Sequence, residues 1–143
     1  MTALAADIDS RPRKGTPKEQ RFPVAVDIIY KNSLVMINAA GYLAPAADTV
    51  GCRVVGVASE QVDNSGGSAG DLFCLVHYDA KWLFSSTSTL TQAHVALVNV
   101  VVADDNNVGL AADETNDIPA GCVSDFVSSS QAWVHIPGIS ALV

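Results

Sequence analysis

The chain has 143 residues, of which 49% are hydrophobic and only 16% charged, and it carries a formal net charge of −7. A chain of this length is one domain that can bury about two-thirds of the surface its unfolded form exposes. The acidic balance argues against nucleic acid and anionic membranes as partners, because both are held through clustered Lys and Arg.

Charge is unevenly placed. Five of the eight basic residues (Arg11, Arg13, Lys14, Lys18 and Arg21) fall in the first 21 positions beside Asp7, Asp9 and Glu19, giving that segment +2, while the three basic and twelve acidic residues that follow sum to −9. Pro12, Gly15 and Pro17 punctuate the same stretch, which has little apolar material after Leu4 and Ile8. Too little can be buried there for it to order alone, so residues 1–22 are expected to form a flexible, extended arm. The domain proper is expected over 23–143. Within it Val, Ala, Leu and Ile alternate with Gly, Ser, Thr and Asn, a texture of short strands and turns. An all-β fold follows: a small β-barrel or β-sandwich with at most one short helical turn.

In chain order, residues 22–30 (FPVAVDIIY) and 33–38 (SLVMIN) read as strands around a turn at Lys31-Asn32, followed by Gly- and Pro-punctuated connections up to residue 48. Residues 51–76 form the central unit. A Val-rich run at 52–58 and an alternating run at 71–76 flank the polar crossing 62–70, where Gly66, Gly67 and Gly70 tolerate positive φ and Asp63, Asn64 and Ser65 can bond their own backbone. This predicts a hairpin with a long tip.

A turn at 79–81 leads to Trp82, Leu83 and Phe84 as core anchors. Residues 85–91 (SSTSTLT) read as a connection, and Thr91 can cap a single helical turn over 91–96. The apolar run 95–103 predicts a buried strand ended by Asp104-Asp105-Asn106-Asn107. A brief strand at 108–110, a polar loop at 113–120 and a hairpin of 121–127 with 132–136 complete the chain. Gly51-Cys52 and Gly121-Cys122 open similar units, suggesting two comparable corners of one barrel or sandwich.

Residues 95–103 are interrupted by Asn99 and fall far short of the roughly 20 apolar residues that span a bilayer. The N-terminus lacks the basic-then-apolar pattern of a signal peptide. Cys52, Cys74 and Cys122 are odd in number, lack CxxC spacing and sit in apolar runs, so reduced, buried thiols made in a cytoplasm are expected.

Catalytic and ligand-binding patterns are weak. His77, His94 and His135 have no metal-ligand spacing. Cys74 with His77 has no accompanying oxyanion or third-group signature. The 104–107 turn lacks the glycine and terminal Glu of a calcium loop. Residues 63–67 lack the GK[ST] and following helix of a phosphate loop, and no Ser lies in GxSxG. An enzyme, a cofactor and a metal site are therefore not expected.

The order of these elements resembles the capsid decoration, or cement, proteins of tailed bacteriophages. The likeness is carried by Asn38-Ala39-Ala40-Gly41-Tyr42-Leu43, Val54-Val55-Gly56-Val57-Ala58, Ser68-Ala69-Gly70-Asp71, residues 98–105 (VNVVVADD) with Val108, residues 116–122 (NDIPAGC) and Trp133-Val134-His135-Ile136. It covers roughly residues 22–138. The resemblance implies a β-domain on the outer surface of an assembled phage head. It would be made in the host cytoplasm and bound there to the major capsid protein and to its own copies, as homotrimers or, alternatively, dimers. It also implies that Arg11, Pro12, Arg13, Lys14, Lys18, Arg21 and Phe22 form a capsid-binding arm, since a segment disordered in solution can fold along a partner's sheet. The alternative reading is a β-barrel module that binds a glycan or small molecule by stacking on Tyr78, Trp82 and Trp133.

Overall fold

A computed structural model describes residues 3–8, 10–96 and 99–138. The strands are β1 (Arg13–Lys14), β2 (Lys18–Pro23), β3 (Ile28–Ile29), β4 (Leu34–Ile37), β5 (Leu43–Pro45), β6 (Arg53–Ala58), β7 (Val62–Asp63), β8 (Phe73–Tyr78), β9 (Ala80–Ser86), β10 (Asn99–Val102), β11 (Asn107–Gly109), β12 (Pro119–Ser128) and β13 (Gln131–Ile136). The fold is all-β, as its composition indicates.

Five of these strands close a small barrel in the order β9-β11-β10-β12-β13, with β13 returning to β9. Alternation explains which faces turn inward. In β9, Ala80, Trp82, Phe84 and Ser86 are buried while Lys81, Leu83 and Ser85 are half-buried, and in β13 Ala132, Val134 and Ile136 are buried in the same way. β9 and β13 face each other over six residue pairs, from Gln131 opposite Ser85 to Ile136 opposite Ala80. Ser86 enters the interior at little cost because its hydroxyl donates to the Ser88 carbonyl and accepts from the Ser88 amide.

The other strands form an open sheet, β2-β8-β6-β4-β5, and a two-stranded ladder, β3-β7. β6 is buried at every position but its first, as expected of a strand covered on both faces. Its residues divide between two cores. Val54 and Val57, with Leu34 of β4, join the barrel's core around Trp82, Phe84 and Ile136. Val55 and Ala58, with Val35, pack on Phe22, Val24, Ile29, Leu43, Cys74 and Val76. A register shift between Val35 and Met36 marks a bulge in the β4–β6 ladder, and Gly56 sits there at φ 154° with its α-carbon against the His77 carbonyl. Gly121 meets the His135 carbonyl in the same way between β12 and β13. The counterpart of Gly121 is therefore Gly56, which makes the same close approach, and not Gly51, which opens the first unit.

Several elements differ from expectation. The hydroxyl-rich connection begins later, because Ser85 and Ser86 continue β9 and pair with β11 and β13. The turn at 79–81 shrinks to Asp79 alone, whose φ of 58° redirects the chain from β8 into β9. The expected helical turn is a 3-10 turn at Gln92–His94, and a second occurs at Ala111–Asp113. In the expected strand 95–103, residues 97 and 98 lie outside the described residues, and β10 begins at Asn99. Of the three cysteines, Cys74 is buried and Cys52 and Cys122 are half-buried.

The long tip at 62–70 is ordered. β7 leaves the hairpin to pair with β3. Buried Asn64 donates to the carbonyls of Val24, Ala25 and Ser68 at 3.0–3.1 Å, pinning the loop to the chain that follows β2.

Candidate functional site

Residues 1–22, expected as a flexible, extended arm, bond to their own domain at several points. The Leu4 amide donates to Asp105 Oδ1 at 2.9 Å, and the Ile8 amide donates to the Lys31 carbonyl at 3.2 Å. β1 pairs Arg13 with Trp82 and Lys14 with Lys81, and β2 runs antiparallel to β8 for six residues. Composition is a poor guide here because backbone ladders, and not buried apolar surface, supply most of the attachment. In β2 only Phe22 is buried and the residues from Lys18 to Arg21 are exposed.

Arg11 is the exception to that exposure. Its guanidinium lies 4.2 Å from the centroid of the Phe84 ring. Nε donates to the Asn32 carbonyl, Nη1 to the Leu83 carbonyl and Nη2 to Asn106 Oδ1, each at 2.9 Å. The Leu83 amide in turn donates to the Pro12 carbonyl at 3.1 Å. Burial lowers the Arg11 pKa to about 10, against the favourable charge of Asp105. Burial also raises the Asp105 carboxyl above the usual carboxylate range, opposed by the Leu4 amide and by Arg11. Of the residues expected to reach a partner, Arg11 is therefore a lock within its own chain, and Phe22 belongs to the sheet's core.

The other basic residues are exposed and bridge to the domain. Lys14 Nζ lies 3.4 Å from Asp125 Oδ2 and 4.3 Å from the centroid of a Trp133 ring. Lys18 Nζ is 3.4 Å from Asp79 Oδ2, while His135 Nε2 is 3.1 Å from the other oxygen, Asp79 Oδ1. These two contacts, His135 first, hold the Asp79 carboxyl below its ordinary pKa. His77 lies between Glu19 Oε2 and Arg13 Nη1, each 3.4 Å away. Arg21 Nη1 is 3.6 Å from Glu60 Oε1. Charge placement in the sequence picks out these basic residues but not their partners, because Asp79, Asp125 and Glu60 are brought to them only by strand register.

The three aromatics weighed as a stacking face do not form one. Trp82 and Tyr78 are buried, and Lys14 covers Trp133. A half-open cleft of about 420 Å³ lies where the start of β6 meets β12 and the end of β13, lined by Cys52, Arg53, Asn99, Pro119 and Gly138 among others. A shallower hollow of about 380 Å³ is bordered by Leu4, Asp27, Tyr30, Asp104 and Asp105. Among the described residues no three His, Cys, Asp or Glu side chains are grouped to hold a metal ion, and no helix is long and apolar enough to cross a membrane.

Large apolar side chains reach solvent at the tip of the sheet. Val26, Leu72 and Phe73 are each about half exposed, and the Val24 amide bonds to the Leu72 carbonyl beside them. No protein-family model matches the chain, and no curated protein does.

Proposed function

We propose that this protein decorates the outside of a tailed-phage head and stabilises it by binding the major capsid protein. The observation that carries this reading is the opposition of charge between the N-terminal segment and the body. Arg13, Lys14, Lys18 and Arg21 lie along two short strands on an otherwise acidic β-domain; Lys14, Lys18 and Arg21 are held by solvent-exposed ion pairs, and Arg13 meets the His77 ring. Exposed pairs contribute at most about 1 kcal/mol each, so these side chains can turn to acidic groups on a partner at small cost. The apolar tip at Val26, Leu72 and Phe73 offers an adjoining contact of the type found at protein interfaces. Many copies on one shell make modest individual contacts effective through avidity.

The test is co-sedimentation with phage heads that lack their decoration protein. Wild-type protein is expected to saturate the heads and to dissociate as salt rises. The triple substitution Arg13→Ala, Lys14→Ala, Lys18→Ala leaves Arg11 and Phe22 in place and should cut occupancy severalfold. Undiminished occupancy by that variant would remove the segment's role, and no binding by the wild type would remove the function.

A further inference from the structure

β2 lies at an edge of the five-stranded sheet, with β8 as its partner among the described residues. In an antiparallel ladder, backbone groups point alternately toward the partner and away from it. Two bonds fix the alternation here. The Val24 amide donates to the Leu72 carbonyl, continuing the β2–β8 register, so the even-numbered residues of β2 bond β8. The Ser59 amide donates to the Leu75 carbonyl on the far side of β8, so its odd-numbered residues serve β6, in agreement. Lys18, Gln20 and Phe22 therefore face inward along the ladder, and Glu19 and Arg21 present their N–H and C=O groups to solvent. Pro17 and Pro23, the outward positions on either side, have no N–H, so the open edge is confined to Glu19 and Arg21.

We propose that this edge pairs with the same edge of a second copy about a two-fold axis through Gln20. An antiparallel pairing that uses the outward groups must set odd residues against odd residues. Three registers engage this short edge: Glu19 opposite Glu19, Arg21 opposite Arg21, and Glu19 opposite Arg21. The first two place like charges directly across from each other, which is destabilising. In the third the two-fold axis brings opposite charges together twice. Each Glu19–Arg21 pair exchanges two backbone bonds, giving four in all, and Gln20 faces its own copy on the axis. Both side chains are exposed, 55% for Glu19 and 60% for Arg21, and their contacts with His77 and Glu60 are of the solvent-exposed kind that is exchanged at small cost. A foreign strand would need a base and an acid two residues apart in the complementary order, which this chain already carries. The contact is self-complementary and closes as a dimer instead of extending into a fibre. It stands whether or not the chain binds a phage shell.

Sedimentation of the full chain over a range of concentrations reads the equilibrium directly. The wild type is expected to dimerise reversibly. Glu19→Arg sets Arg against Arg, and Arg21→Glu sets Glu against Glu, so each variant alone should dimerise at least about tenfold more weakly. An equimolar mixture restores Glu opposite Arg at both positions and should recover dimers, which also shows that both variants are folded. A wild type that is monomeric throughout or trimeric, single variants that dimerise like the wild type, or a mixture that fails to recover would each overturn the proposal.

Discussion

In the barrel, β9 pairs with β13 along one side and divides its other side between β1 and β11, so ring closure leaves it no free edge. The neighbouring sheet shares a core with the barrel through β4 and β6 and is closed only by a single bridge, from Leu43 of β5 to Val24 just past β2, which leaves β2 itself open. β5 is three residues long and ends at Pro45, whereas β2 runs for six and is bounded by prolines outside its charged centre. Closure removes the hazard of an unpaired edge, and short length, proline and charge only limit it. Protection of edges by closure and protection by length, proline and charge are thus found in different halves of one domain.

Core truncation should break this comparison most strongly. Trp82 and Phe84 are almost wholly buried inside the ring, with neighbours held by ladders on both sides. Phe84→Ala is expected to cost about 3–5 kcal/mol, since a closed barrel cannot collapse into the space left. Phe22→Ala removes a side chain of the same type, itself 9% exposed, from an edge strand. Its cost should fall at or below the bottom of that range, because β2 can shift toward β8. Urea unfolding of both variants checks the difference, and equal losses would mean that the edge is as constrained as the ring.

Arg11 should give the next largest effect. Arg11→Met keeps an unbranched apolar side chain of similar reach but removes the guanidinium from the Phe84 ring and leaves the carbonyls of Asn32 and Leu83 without their donor. A loss of about 2–3 kcal/mol is expected. Hydrogen exchange should quicken first at Leu4 and Ile8, whose amides bond the same region of the domain, and later in β9. Uniform quickening would make Arg11 part of the barrel's global stability rather than the lock on the segment that crosses it.

Thiol chemistry separates the two halves without mutation. Burial and the nearby Glu60 push the Cys74 thiol up to about 12, and the side chain lies in the sheet's own core. A thiol-specific reagent at neutral pH should leave Cys74 unmodified until the sheet opens, while half-buried Cys52 and Cys122 react in the native state. Native labelling of Cys74 would show that the sheet opens independently of the barrel.

Much of this architecture is legible in the sequence because strand periodicity and turn chemistry act locally. The alternation in β8 and β13, the continuous burial of β6 and the turns at Asn32 and 104–107 all follow from neighbouring residues. What sequence misses is set by register. Ser85 and Ser86 look like loop until β11 and β13 bracket them, and Asn64 looks like turn material until its amide group is placed among three carbonyls. The N-terminal segment is the largest difference. Its basic residues stand out in the sequence, but nothing local indicates that Arg11 reaches Leu83 and Asn106 or that Lys18 meets Asp79.

The smallest expected effect concerns Asp79, the single residue that joins the sheet's β8 to the barrel's β9. His135 of the barrel and Lys18 of the sheet each bond one of its oxygens, and both depress its pKa in the folded state. A depressed carboxyl pKa contributes stability that is fully present above the unfolded value of about 3.9 and is lost as pH falls through the folded value. The urea midpoint of the wild type should therefore exceed that of Asp79→Asn near pH 6, and the gap should close as the solution is taken below pH 4. Asn accepts φ near 58°, so the substitution spares the turn and isolates the charge. A gap that persists unchanged into acid would mean that Asp79 joins the two halves through its backbone conformation alone.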